Sequence, residues 1–188
     1  MKKVVAYFIS AVLVIAYVFI LIKSFDTSNT EKSYDLFYIK KELKYYSSQK
    51  EFEEYCENTV INYSDQGNYK NQGEGWDVPE TDGTWAIGKK SVFFIYISDP
   101  DAKYEIQISA AANEGYNNRL LVNGTEIGEL PISEQEYKLE LDKGLVKGLN
   151  KFEIATDEEV LPYNEKDPDS NDSRELNLLV KSVYLKKL

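Results

Sequence analysis

Nineteen consecutive residues, Val4 to Ile22, carry no charge and a single serine, Ser10, and are bracketed by Lys2, Lys3 and Lys23. At about 1.5 Å of rise per residue such a helix reaches roughly 28 Å, close to the ~30 Å hydrocarbon core of a bilayer. The reading is a transmembrane helix over 4–22, with a tail at 1–3 and 165 residues beyond Lys23 held at a membrane surface. The alternatives are a cleaved signal peptide and a buried core helix. A secretory apolar region is usually about 7–15 residues long and ends in small residues. This run is longer and is followed by Lys23-Ser24-Phe25-Asp26. The one cysteine, Cys56, lies too far on for lipid attachment at a processed terminus. The expectation is therefore an uncleaved anchor.

Basic residues bias a flank toward the cytoplasm. Here they stand on both sides, Lys2 and Lys3 against Lys23 and Lys32. The β-rich character of the remainder favours the N-terminus inside and the large C-terminal part outside. Beyond Lys23 there are 19 basic and 32 acidic residues, a net of −13, which repels nucleic acid and anionic head groups. A single cysteine makes no intramolecular disulfide, so stability falls to the packed core, and about 130 residues can bury one. Twenty lysines against two arginines, with abundant Ile, Asn, Glu and Tyr, point to an AT-rich bacterial genome. The triplets at Asn62, Asn123 and Asn171 match glycosylation acceptors, which in a bacterium arise by chance.

From Thr30 to Glu57 the spacing is helical. Leu36, Ile39, Leu43 and Tyr46 form one stripe, and Phe52, Tyr55, Cys56 and Thr59 a second. Between them Ser48-Gln49-Lys50-Glu51 has the form of a capping box. Two helices with a break near Ser47 are expected over a linker at 23–57. They either lift the domain by roughly 40 Å as a stalk or partner-binding helix, or fold back on it.

After Asn58 short alternating runs begin: 60–63, 91–97, 103–112, 120–122, 136–141, 151–155 and 176–185, punctuated by Gly, Asn, Asp and Pro. This predicts a mainly β fold, a jelly-roll-like β-sandwich over 58–188, with a tight hairpin at Asn123-Gly124 and a bulge or bend near Lys181-Ser182.

No histidine occurs, which excludes Ser-His-Asp and Cys-His catalysis and His-ligated zinc. Cys56 reads as a buried structural cysteine. A carboxylate pair could hydrolyse a glycoside, but with 32 acids some pair always lies close, so the argument is weak and the chain is read as no enzyme. Asp167, Asp169 and Asn171 alternate like the first ligands of a calcium loop; the pattern then fails at Asp172 and Leu178, which leaves a weak calcium candidate beside a plain solvated loop. Trp76 and Trp85, with Glu80 between them, could stack on and hydrogen-bond a sugar, or fill the core. Asp172 and Arg174, two apart on an extended segment, share a face; a bidentate contact from Arg174 to Glu80 or another acid would lock the loop, and the same groups could instead meet a ligand.

Set in order, Gly67-Asn68, Gly75 to Gly88, Val122 to Gly128, Gly148 to Asn150 and Ser170 to Leu176 resemble an accessory β-sandwich domain of bacterial membrane-bound glycosyltransferase and phosphoglycerol-transferase-type proteins. The likeness covers residues 58–188, and its V-N-G and G-x-N elements recur in galactose-binding-like jelly rolls. It implies an extracytoplasmic sandwich associated with envelope glycan assembly. It carries over no transferase activity, because the multi-span catalytic part has no counterpart here. Asn177 stands where the family typically has glycine, which puts the local turn in question. The function expected is a membrane-anchored, non-catalytic module that binds a glycan or a partner. The alternative is an assembly subunit docking on a polytopic glycosyltransferase through its span and linker.

Overall fold

The computed structural model describes residues 2–26, 29–133 and 135–188, and of Lys2, Lys3 and Ala6 only the backbone. Met1, in the expected tail, and Thr27 and Ser28, in the expected linker, lie outside the described residues. The apolar run forms one helix, α1 (Lys2–Ser24), and none of the stretch Tyr7–Ser24 is buried.

The rest is a two-sheet antiparallel sandwich. One sheet contains β1 (Val60–Asn62), β2 (Thr84–Ile87), β4 (Tyr104–Asn113), β7 (Glu136–Leu141) and β9 (Leu176–Lys187). Strand β9 pairs on one side with β4, which pairs in turn with β7. On its other side β9 pairs first with β2 and then with β1. The second sheet runs β3 (Lys90–Ile97), β8 (Gly148–Ala155), β5 (Asn118–Val122), β6 (Thr125–Leu130). Between the sheets, β5 and β8 and most of β4 bury alternate residues, as the two-residue period of a pleated strand requires. Phe93 stacks on its cross-strand partner Phe152 with ring centroids 5.2 Å apart, and Ile95, Ile106, Ile108, Leu120 and Val183 are likewise fully buried.

The phase change in β9 is a bulge at Lys181. Ser109 pairs with Ser182 and Ala110 with Val180, so Lys181 is an extra residue on β9. The bulge lets Leu178 and Val180 point inward on one side of it and Val183 and Leu185 on the other. Its carbonyl accepts the Tyr63 amide at 2.8 Å, just where the partner of β9 changes from β2 to β1.

The segment expected as a helical linker is a strap folded on the sandwich. It holds a single α-turn, α2 (Lys32–Tyr34), which runs into a π-helical turn at Asp35–Ile39, and a second short helix, α3 (Gln49–Glu53). The first stripe is only half used: Leu36 and Leu43 are buried while Ile39 and Tyr46 are exposed, and the backbone at Lys41 turns to φ +56°. The capping box at Ser48 is present, with the Glu51 amide donating to Ser48 Oγ at 3.3 Å and the Ser48 amide to Glu51 Oε2 at 2.9 Å. Leu36, Leu43, Phe52 and Tyr55 join the main core, so the strap lifts nothing away from the domain. It also closes an edge. β3 is the outer strand of its sheet, and its free backbone groups are taken by residues 55–57 and 71–74: the Tyr96 amide donates to Tyr55 O at 2.7 Å, Phe94 to Asn71 O at 3.0 Å and Val92 to Glu74 O at 2.9 Å. An uncovered edge of this kind is a template for aggregation.

Candidate functional site

The two tryptophans are placed inside. Trp76, 3% exposed, lies in the main core, edge-on to Tyr63 at 5.1 Å, and its indole N–H donates to Val92 O at 2.6 Å. Gly75 makes this approach feasible: at φ +82° it passes so close to β3 that a Cβ there would lie 1.8 Å from Lys90 O. Trp85, 7% exposed, sits in a smaller cluster with Leu176 and Leu179, against Ile87, Ala111, Ala112 and Tyr163. Neither indole presents a face to a sugar. Large aromatics lose so much water-accessible apolar area on burial that this is their usual fate, and sequence alone does not tell the two uses apart.

Glu80, Asp172 and Arg174 are brought together, and Asp77 joins them, a residue the sequence reading passed over. Arg174 Nη2 donates to Asp172 Oδ2 at 2.7 Å, Nε to both Asp172 oxygens at 3.0 Å, and Nη1 to Asp77 Oδ2 at 2.5 Å and Glu80 Oε1 at 2.8 Å. One guanidinium thus ties the 77–80 turn to the loop before β9. Hydrogen bonds donated to three carboxylates, Asp172 first, raise the Arg174 pKa. The Arg174 side chain, with its amide, holds the Asp172 carboxyl below the usual range. At Asp77 burial pulls the pKa up, yet the bonds from Arg174 and the Val78 amide prevail and leave it lowered. Carboxyls depressed in the folded state add stability above their unfolded pKa and lose it as pH falls through the folded value. Thermal unfolding from pH 5 to pH 2 is therefore expected to show a falling Tm that flattens in Arg174→Met; an unchanged slope in the variant contradicts the network. The group is 39% exposed, so water screens part of this effect. The other arginine, Arg119, is used in the same way, its Nη2 donating to Asp157 Oδ1 at 2.6 Å.

The loop before β9 contains α4 (Tyr163–Lys166). After it Asp167 Oδ1 accepts the Asp169 amide at 3.2 Å, and Asp167 O accepts the Ser170 amide at 2.9 Å. Among the described residues no three Asp, Glu, His or Cys side chains gather as metal ligands. The Asp167, Asp169, Asn171 alternation forms a turn in this structure.

Other motif residues prove to be joints of the fold. Asn123, at φ +49°, and Gly124, at φ +81°, turn the β5–β6 hairpin. Asn123 Oδ1 accepts the Lys151 amide at 2.9 Å, and Asn123 Nδ2 donates to Asn150 Oδ1 at 2.8 Å. Asn150, fully buried, staples the loop before β8 by bonding both the amide and the carbonyl of Val146. The position at Asn177 is no turn; it lies in β9 with its amide paired to Asn118.

A cavity of 570 Å³ lies where the strap meets the end of β3. Phe52 and Tyr96 give it apolar surface, and Asn29, Lys32, Gln49 and Glu53 line it with polar groups. The Lys32 ammonium stands 5.5 Å from the Tyr96 ring centroid. The capped helix α3 fixes Gln49, whose Oε1 accepts the Ser33 amide at 3.2 Å and whose Nε2 donates to Glu53 at 2.8 Å. Its volume falls in the range of small-ligand sites, roughly 300–1,000 Å³. Three segments distant in sequence build it, so no local motif announced it.

No protein-family model matches the chain, and no curated protein matches it in sequence. Among solved structures it is similar to the module CsCBM6-3 from Clostridium stercorarium in complex with cellobiose, with 10% identity, a TM-score of 0.40, and coverage of 71% of this chain and 96% of that one. A family 35 carbohydrate-binding module from an environmental isolate gives 17% identity and a TM-score of 0.34, over 69% and 82% of the two chains. The carbohydrate-binding module CBM36 in complex with calcium and xylotriose gives 12% and 0.37, over 68% and 98%. Likeness at this level assigns no ligand to this chain.

Proposed function

We propose that this chain is a non-catalytic glycan-binding module anchored to a membrane by α1, with the sandwich on the extracytoplasmic side and a role in bacterial envelope glycopolymer assembly. The observation that carries the binding reading is the cleft at the strap: an aromatic ring beside an amide, a carboxylate and an ammonium, the mixture that recognises a sugar's apolar C–H face and its hydroxyls. The anchoring is supported by a 23-residue helix whose uncharged stretch, Val4 to Ile22, is exposed wherever it is described. In water such a surface is strongly unfavourable, and in lipid it is at home.

The test is binding of an oligosaccharide panel to the full chain in neutral-lipid nanodiscs, by calorimetry. Tyr96→Ala is expected to weaken binding at least tenfold, about 1.4 kcal/mol, with the melting temperature little changed because Tyr96 lies at the margin of the core. A panel with no ligand, or full affinity in Tyr96→Ala, overturns the assignment.

A further inference from the structure

A second pocket of 360 Å³ opens on the other side of α2, over the outer face of β3 and β8, where Phe94 and Leu149 form apolar lining. The chain has a net charge of −10, yet Lys32, Lys40, Lys147 and Lys151 converge here against only Asp35 and Glu42. The four come from separate places: two from the strap, one from the loop before β8, one from β8 itself. Lys40 is held by Asp35 at 2.8 Å and Lys151 by Glu153 at 2.8 Å. Among the described residues Lys32 and Lys147 form no ion pair. The positions are built. The loop carrying Lys147 is stapled by Asn150 through Val146. Gly148, at φ +101°, leaves the space that Lys32 Nζ approaches, for a Cβ there would stand 3.2 Å from it.

We propose that this pocket is an anion site that takes a phosphate-bearing group. Ammonium groups act as compact point charges suited to a tetrahedral, multiply charged anion, and lining by Phe94 and Leu149 lowers the local dielectric and strengthens the attraction. Asp35 and Glu153 each hold one lysine, and Glu42 acts on Lys40, Glu74 on Lys151 and Asp99 on Lys147 only through space; Lys32 and Lys147, in no ion pair among the described residues, are the ammonium groups open to a ligand. The phosphate is carried either by a lipid head group or by a soluble phosphosugar. Seven residues lie between Ser24 and Lys32, eight steps along the chain and at most about 28 Å when extended, so a head group is within reach of the pocket if α1 spans the bilayer. The site does not depend on a glycan in the neighbouring cleft.

The experiment titrates glucose 1-phosphate, with glucose as the uncharged control, into the full chain in phosphatidylcholine nanodiscs and in nanodiscs that also contain phosphatidic acid, read by phosphorus NMR and calorimetry. Saturable binding of glucose 1-phosphate is expected, weakened at least tenfold in Lys147→Glu and further in Lys40→Glu/Lys147→Glu. Both substitutions are at exposed residues, and circular dichroism reports that the fold is kept. Glu53→Gln, which changes the lining of the glycan cleft and not of this pocket, should leave this binding intact, which separates the two sites. Competition by phosphatidic acid assigns the site to a head group, and its absence assigns it to a soluble phosphate. The proposal is overturned by no saturation below about 10 mM, by equal binding of glucose, or by undiminished affinity in the lysine variants.

Discussion

Trp76→Ala is expected to lower the free energy of unfolding by about 3–5 kcal/mol, a large share of the ~5–15 kcal/mol that holds an ordinary domain together. The indole is packed edge-on against Tyr63 and Phe93, at 5.1 and 6.4 Å, and spans the space beneath β3. Its backbone carbonyl accepts a bond from the Lys44 ammonium, which also donates to Asp77 O at 2.7 Å, so the residue ties strap to sandwich. Burial lowers the Lys44 pKa, against the pull of Asp77. Val92 O, which accepts the indole N–H, also accepts the Gly73 amide at 2.7 Å. Trp76→Phe therefore leaves no orphaned carbonyl and is expected to cost only about 1–2 kcal/mol, mostly lost contact. Urea unfolding followed by circular dichroism measures both. A loss below 1 kcal/mol in Trp76→Ala contradicts the core placement, and any effect of this variant on ligand binding has to be separated from unfolding.

The apolar N-terminal helix, most strands and the hairpin at Asn123-Gly124 were legible because each depends on a local period or a turn residue. Two strands were not. β6 is an edge strand with one buried residue, Leu130, so it lacks the alternation that reveals a half-buried strand. β2 is four residues long and buried on both faces, with Thr84, Trp85 and Ala86 all inside, which reads from sequence as a motif and not as a strand. The strap misled for a different reason. Its helical stripes are real, but the backbone of residues 55–57 is wanted at the open edge of β3, where the Tyr55 carbonyl accepts the Tyr96 amide and the Glu57 amide donates to Tyr96 O, and tertiary pairing outweighs a weak helical preference there. Of the candidate site, the joining of Asp172 and Arg174 to Glu80 followed from spacing and from the scarcity of arginine. Both cavities at the strap are tertiary objects, made by residues 29–53 folding over β3, and no local pattern encodes such a meeting.

Asn177→Ala is expected to cost about 2–3 kcal/mol, although it removes only one small polar side chain. Asn118 and Asn177 are 2% and 1% exposed and face each other across the two sheets, β5 against β9. Asn118 Nδ2 donates to Asn177 Oδ1 at 2.8 Å and Asn177 Nδ2 to Asn118 Oδ1 at 3.0 Å; outside the pair, Asn177 reaches Gly88 O and Asn118 reaches Tyr116 O, each at 3.2 Å. Each amide thus satisfies the other in a place water does not reach, and losing one strands the Oδ1 of its partner. Asn177→Gly would strand Asn118 in the same way. The consequence is non-additivity. Asn118→Ala is expected to cost a similar amount, but the double variant should cost less than the two together by about 1–2 kcal/mol, because no orphaned amide remains. A double-mutant cycle by urea unfolding measures the difference. Costs that add to within about 0.3 kcal/mol mean that the amides do not pair and that the two sheets are joined here by packing alone.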